Sequence, residues 1–343
     1  MKWIAPLLGL FVVAAESAPW DWSDAGDSWT SSTEFDASRA LCRSLKGREP
    51  PAADRPDAAV AASLKGCESE ALYYGIGVKA DPVRARQCAF LEAESGDEGV
   101  FSGRTMLMTV YANGRGAKRD LDVAIHLACG LDGAPMESHG RVTHLAELKS
   151  SGWTGQDFHF CNDITSGLAM GYCAAHESEI AGARREAILA AMTRGWTESE
   201  KRALARLRTV HAAYVEAHGS GEVDLSGTAR SAMAIEAEEA LRDELVETLD
   251  RLGSGRALPA RAARLAAEDS ALNAAYRKRL RETAGVDAGP GAVTADGIRT
   301  SERAWLRYRD AFLAFAAVKF PSVPRDQLAA WLTRQRTTRL APE

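Results

Sequence analysis

The chain lacks the motifs by which most enzymes are recognised. It has no HExxH, no GxSxG and no GK[ST], and its 7 histidines are dispersed. Zinc-protease, nucleophile-elbow and phosphate-loop chemistry therefore have no carriers. No CxxC pair occurs, which excludes a thioredoxin-like redox site and a zinc ribbon. Aromatic residues make up only 7%, β-branched residues are sparse and alanine is abundant. That balance favours helices over strands, because alanine loses no side-chain entropy in a helix. Excess basic charge is missing too: 42 Lys+Arg against 47 Asp+Glu leave a net −5. This excludes a globally basic nucleic-acid binder and disfavours attraction to an anionic surface. What remains, 343 residues with 46% hydrophobic and 26% charged, describes a soluble globular chain long enough for two domains, each with its own core.

Lys2 precedes an uncharged apolar run from Trp3 to Ala15, with small residues at Ala14, Ala15, Ser17 and Ala18. The run is shorter than the ~20 residues of a membrane-spanning helix, so no stable membrane span is expected; it reads as a secretory signal peptide. The expected leader is 1–18, cut between 15 and 18. Val13 and Ala15 make the better small-residue pair for the peptidase, and Pro19 disfavours a cut after Ala18. Export gives meaning to Cys42, Cys67, Cys88, Cys129, Cys161 and Cys173, whose even number allows every thiol to pair in an oxidising compartment. His159, Cys161, Cys173 and His176 could instead hold zinc tetrahedrally. Their spacing matches no familiar finger, and a Cys161–Cys173 bridge, worth ~3 kcal/mol on the chain-entropy model, is the expectation. No metal and no cofactor is expected.

Pro19 to Thr33, with Trp20, Trp22 and Trp29, reads as an irregular arm draped on the first domain. Phe35 to Leu45 can form a helix, and Arg48 to Asp57, holding Pro50, Pro51 and Pro56, reads as a loop. Leu72, Gly75, Gly77, Asp81 and Ala85 recur 39 residues later as Tyr111, Gly114, Gly116, Asp120 and Ala124. Such a period marks stacked helical units. Leu72 and Tyr111 end one helix, GxG permits the positive φ of a tight turn, Asp81 or Asp120 caps the next helix, and Pro82 suits the first helical position. Written out, LYYGIGVKADPVRA (72–85) and YANGRGAKRDLDVA (111–124) resemble the SEL-like repeat family, a relative of tetratricopeptide repeats. The resemblance implies αα-hairpins that serve as a protein-binding scaffold, with the helical stretches around Cys42 to Leu64 as a diverged partner. Repeat geometry then pairs Cys42 with Cys67 and Cys88 with Cys129, with Cys67–Cys88 as the main rival.

Ser150 to Phe160 is aperiodic, which places a boundary there. The expected organisation is a helical-repeat module with its N-terminal arm over 19–150 and a helical domain over 151–343. Helices are expected over Ala174 to Met192, Thr197 to His218 with a Thr197/Glu200 capping box, Ser226 to Leu252, Pro259 to Ala284 and Ala295 to Lys319. In the last two, Leu265, Leu272, Tyr276 and Leu280, and Ile298, Trp305, Tyr308, Phe312 and Phe315, recur at helical spacing. The stripes are expected to face one another as an antiparallel pair.

The C-terminal third carries LNAAYRKRL (272–280), SERAWLRYRDAF (301–312) and LTRQRTTRL (332–340). With Cys161-x11-Cys173 they resemble the exported family of LprI lysozyme inhibitors, through Leu272, Asn273, Tyr276, Arg303, Trp305, Tyr308, Arg309, Asp310, Thr333, Arg336, Thr337 and Leu340. This extends over Phe160 to Leu340 if a helical insertion is allowed. Glu302 replaces a frequent Gln, and Leu313 stands where many members carry Cys. Physically these residues are expected to work first as structural latches. Arg309 and Asp310 point to different helix faces and should pair with other helices. Asn273 needs a buried partner that Arg303 or Arg309 could supply. Arg277, Lys278, Arg279 and Arg281 read as a solvated basic face, and Glu236, Glu238, Glu239, Glu244 and Glu247 as an ordinary acidic one.

The expectation is thus an all-α, non-enzymatic, periplasmic or secreted protein: a disulfide-braced repeat module followed by an antiparallel helical bundle. The second resemblance implies a protein partner, lysozyme or another peptidoglycan-active enzyme. A periplasmic interaction scaffold is the first alternative, and a metal-dependent enzyme using His159 and His176 the second.

Overall fold

The computed structural model describes residues 20–24, 32–96, 99–256, 258, 265–283 and 289–341; the expected leader and Trp29 lie outside them. The described residues hold thirteen α-helices and four short 3-10 turns, with no strand among them. The first seven are α1 (Asp36–Ser44), α2 (Ala58–Ser63), α3 (Ser69–Tyr74), α4 (Pro82–Ser95), α5 (Gly103–Asn113), α6 (Leu121–Cys129) and α7 (Pro135–Ser150). The remaining six are α8 (Gly167–Thr193), α9 (Glu198–Gly221), α10 (Arg230–Gly253), α11 (Leu265–Glu282), α12 (Ala295–Lys319) and α13 (Arg325–Leu340).

From α3 to α7 each helix packs on the next, and the two sequence-related turns are built alike. Gly75 and Gly114 end α3 and α5 in the left-handed region, at φ 80° and 62°, which a side chain would strain. Asp81 and Asp120 then cap α4 and α6, accepting from Arg84 N–H and from Asp122 and Val123 N–H. Their own N–H groups reach back to Leu72 O at 2.8 Å and Tyr111 O at 3.1 Å. Equivalent residues thus make equivalent bonds 39 positions apart. Buried Glu92 on α4 accepts from Ser69 N–H and Gly103 N–H, both at 2.8 Å, which satisfies the exposed donors at the starts of α3 and α5.

The first core extends beyond these helices. Trp22 is buried under Phe35 and donates its indole N–H to Ser38 Oγ at 2.9 Å, so this part of the arm is a packing element. Phe158, Phe160 and Cys173 are buried in the same core, with Trp153 against it. α8 thus contributes to both cores, Cys173 to the first and Leu189 to the second. The second core joins Leu189 of α8 to α9, α10, α11, α12 and α13. α9 carries the Thr197/Glu200 capping box in both directions. α8 begins earlier than Ala174 because Ser166 caps it.

Helix partners in the second unit differ from expectation. α8 packs on α10, α9 on α12 and α11 on α13, while α11 and α12 barely touch. The reason is that the apolar stripe of α12 meets α9: Tyr308 stacks on Tyr214 of α9, and Trp305, Phe312 and Phe315 fill the same core. Its best apolar face is therefore taken by α9. Gly167 lets α8 approach α10 so closely that a Cβ there would lie 2.3 Å from the Thr228 carbonyl carbon.

The three disulfides are Cys42–Cys129, Cys67–Cys88 and Cys161–Cys173. The third is the bridge expected, the second is the rival pairing, and Cys42–Cys129 replaces the preferred Cys42–Cys67 and Cys88–Cys129. α1 does not stack on the helix that follows it; it packs on α6 and α7, which brings Cys42 to Cys129 with a Cα–Cα distance of 5.8 Å. Cys67, just ahead of α3, is left to Cys88 on α4. On the chain-entropy model the 87-residue link is worth about 4.5 kcal/mol and the 12-residue link about 3. Replacing Cys42 and Cys129 by Ala should lower the thermal midpoint more than replacing Cys161 and Cys173. A larger loss from the second pair in differential scanning calorimetry would contradict this ordering.

Candidate functional site

The twelve signature residues separate into two groups. Leu272, Trp305, Tyr308, Thr333, Arg336 and Leu340 are buried. Arg336, 1% exposed, is the hub. Its guanidinium bonds both carboxylate oxygens of Glu222 at the end of α9, Nη1 to Oε2 at 2.8 Å. Nε reaches Glu302 on α12 at 2.9 Å and Nη1 the Tyr214 hydroxyl at 3.4 Å. Burial alone would raise Glu222, but hydrogen bonds from His218 and Arg336 outweigh it and hold that carboxyl down at about 2. Glu302, beside the same guanidinium, is shifted the other way, because burial and the Glu222 charge exceed what Arg336 returns. Arg336 is thus committed first to Glu222. Thr337 returns its hydroxyl to Thr333 O at 2.9 Å within α13.

Of the others, Asn273, Tyr276, Arg303 and Arg309 line a groove between α11 and α12. Arg309 crosses it, reaching Asp269 on α11 at 3.2 Å and Thr333 Oγ1 on α13 at 3.4 Å; it also covers Trp305 with its guanidinium 5.1 Å from the ring centroid. Asp310 is exposed and lies 3.9 Å from Arg309. Because α11 turns to α13, the space beside α12 remains open as a groove of about 480 Å³, lined by Leu272, Asn273, Tyr276, Arg303, Leu306 and Arg309 among others. Asn273 is not buried, and neither Arg303 nor Arg309 answers it. Its amide donates to Asp269 O at 2.7 Å in its own helix, as solvent-facing Asn commonly does. Arg303 is exposed and, among the described residues, bonds only Thr300 Oγ1 at 3.0 Å. The groove therefore presents a guanidinium with no ion-pair partner among the described residues beside a half-buried Tyr276 ring and an exposed Leu306; Arg and Tyr are residue types enriched at binding hot spots. The basic run of α11 is tied in part to Glu282. On α10, Glu238 and Glu239 are held by Arg242 and Glu244 by Arg339.

His159, His176 and Glu177 are the one described group whose ligand atoms come within mutual reach of an ion, and Cys161 and Cys173 are spent on each other. Donor and acceptor roles close without a cation. His159 Nδ1 accepts Cys161 N–H at 3.1 Å, which leaves its proton on Nε2. That proton points to His176 Nε2 at 3.0 Å, and His176 Nδ1–H donates to Glu70. Ligation through His159 Nε2 would require a proton on Nδ1, where the Cys161 N–H already points. Burial, reinforced by the neighbouring His176, keeps His159 below its ordinary value. His159, His176 and Glu70 work as a clasp between the segment before α8, α8 itself and α3. His139 and His144 are bonded to Ser38 and Asp163.

No signal in the sequence marked Glu222 or Tyr214 as members of the signature network, because their partner Arg336 lies over a hundred positions away, and His218 enters it only through Glu222. His211, packed against Tyr308 with ring centroids 5.0 Å apart and bonded to Leu241 O, was equally silent. Burial pushes it down to about 4. Its folded value lies below the unfolded one, so it contributes stability that is full above about pH 6.5 and fades as pH falls toward 4. The loss amounts to about 3 kcal/mol at the acid end. His211→Gln should flatten that part of the urea midpoint–pH profile. A profile with unchanged slope between pH 6.5 and 4 would contradict the assignment.

The family model described as Lysozyme inhibitor LprI matches residues 260–340. The match contains α11, α12, α13 and all twelve signature residues. It begins far beyond the Cys161–Cys173 bridge, so the resemblance is confined to the three C-terminal helices and does not reach back to Phe160. No curated protein and no solved structure matches the chain. Over these 81 residues of 343 the chain is similar to lysozyme inhibitors of the LprI family.

Proposed function

We propose that this is an exported, non-catalytic protein of the cell envelope whose C-terminal helices bind lysozyme, or a related peptidoglycan-cleaving enzyme, and block it by surface complementarity. One coincidence carries the reading: the stretch similar to lysozyme inhibitors, 260–340, is the stretch whose helices α11 and α12 leave a groove where Arg303 has no ion-pair partner among the described residues. Lysozyme-type enzymes depend on two carboxyl groups flanking the scissile bond. A guanidinium offered beside Tyr276 and Leu306 would pair with a carboxylate at the rim of such a cleft. The net −5 of the chain would also steer a basic enzyme toward it. Export is supported by the leader-like residues 1–18 and by six cysteines engaged in three bridges. No helix among the described residues is long and apolar enough to cross a membrane.

In this reading the first unit is a scaffold of SEL-like hairpins. Support comes from the matching turns at Gly75 and Gly114 and the matching Asp81 and Asp120 bonds. It would present the inhibitory helices and hold a further envelope protein.

The test is clearing of a cell-wall suspension by lysozyme with increasing amounts of purified protein. Inhibition should saturate, and Arg303→Glu should weaken it by about tenfold, the equivalent of about 1.4 kcal/mol, without altering the thermal midpoint. Full lysozyme activity at every concentration would remove the inhibitor reading. If envelope pull-downs then returned partners other than wall hydrolases, the scaffold alone would stand.

A further inference from the structure

We propose that a second groove, between α8 and α10, binds a short cationic amphipathic helical peptide. The two helices run parallel. A Cβ on Gly171 would lie 3.0 Å from Ser231 Cβ, Ser178 donates to Glu239 at 2.9 Å and Arg185 to Asp243 at 2.7 Å. Along their outer seam lies a groove of about 380 Å³. Met170, Ala174 and Ala181 form one apolar side, Ala232 and Ile235 the other, and Ile164 closes one end. The lining runs from Met170 to Ala181 on α8 and from Ala232 to Asp243 on α10, about 16 Å at 1.5 Å per residue, or three helical turns.

The charge around this floor is of one sign. Four carboxylates line the groove, Glu177, Glu236, Glu239 and Asp243, and no Lys, Arg or His does. Arg185 takes up part of the charge of Glu239 and Asp243, and Arg242 part of that of Glu239. Glu177 and Glu236 are exposed and form no ion pair with any described residue. An occupant must therefore bring an apolar stripe flanked by positive charge. A seam three turns long, of about 380 Å³, offers far less than the ~800 Å² a side of a stable interface between folded proteins. It suits one short helix laid along it by its apolar face. Met170, 41% exposed in the groove, has the adaptable side chain such surfaces use. The Cys161–Cys173 bridge and the His176–Glu70 bond anchor the first half of α8, so the groove is preformed and binding does not have to order it. This site differs from the α11–α12 groove in helices, in charge and in partner, and its test involves no hydrolase.

The experiment is fluorescence anisotropy of a labelled Leu/Lys peptide about four turns long, titrated with the full-length protein at low and high salt. A Leu/Glu peptide with the same apolar stripe serves as comparison. The Leu/Lys peptide should bind saturably at one per chain and weaken with salt, while the Leu/Glu peptide does not bind. Glu177→Lys with Glu236→Lys, both on exposed positions, should weaken binding at least about tenfold, and Ala181→Trp should do so by filling the floor. Unchanged melting of the charge-reversed variant shows that the fold is intact. The proposal is overturned if neither peptide binds, if both bind equally, or if the charge reversal leaves affinity unchanged. It is also overturned if the protein self-associates through this face, seen as a dimer in sedimentation that Glu177→Lys with Glu236→Lys dissolves.

Discussion

The second half of the molecule is organised around one buried cation. Arg336 sits at the meeting point of α9, α12 and α13, with Glu222 and Glu302 as counter-ions and Tyr214 as a further partner. Removing a guanidinium from water costs several kcal/mol, and stripping one member from such a pair typically destabilises by about 3–5 kcal/mol. The network therefore acts less as a source of stability than as a condition on geometry, since only one arrangement of the three helices satisfies all its members. With α13 fixed in this way, α11 docks on it and Arg334 reaches Glu268 at 2.5 Å. Arg309 then spans from α12 to both α11 and α13. The α11–α12 groove is a by-product of that order of preference.

Local features were legible from residue order alone, and long-range ones were not. Alanine-rich composition and the scarcity of strand formers point to an all-α fold. The Asp81, Asp120 and Thr197 caps form where hydroxyl or carboxylate side chains precede apolar periodicity, because capping depends on a few neighbouring residues. Cys161–Cys173 was legible from its short spacing, but the partner of Cys42 was not, because α1 closes on α6 and α7, a choice made by packing across 87 residues. The expected α11–α12 pair failed for a similar reason. Periodicity shows that Trp305, Tyr308, Phe312 and Phe315 share a core, but it does not say which helix supplies the other wall. Of the candidate site, the signature names Arg336 and Arg309 but not Glu222, Tyr214 or His218, which complete the network from α9.

Two concave faces of opposite character emerge from a single bundle. The groove of α11 and α12 carries arginine and tyrosine, and the seam of α8 and α10 is apolar with a carboxylate rim. α8 joins the second to the stacked helices of the first unit, held at its near end by the Cys161–Cys173 bridge and the His159–His176–Glu70 clasp. Within the N-terminal unit, Cys42–Cys129 ties α1 to α6. Rigid helices with fixed side chains suit recognition by complementarity, in which little conformational freedom is lost on binding.

The most direct measurement of the central claim is backbone hydrogen exchange of the whole protein with and without a saturating lysozyme. Added protection should be confined to α11 and α12, centred on 269–276 and 299–309, leaving α3 to α7 unchanged. Protection that instead appears on the N-terminal hairpins, or is absent altogether, would contradict a docking face at the groove that Arg336 and its partners hold open.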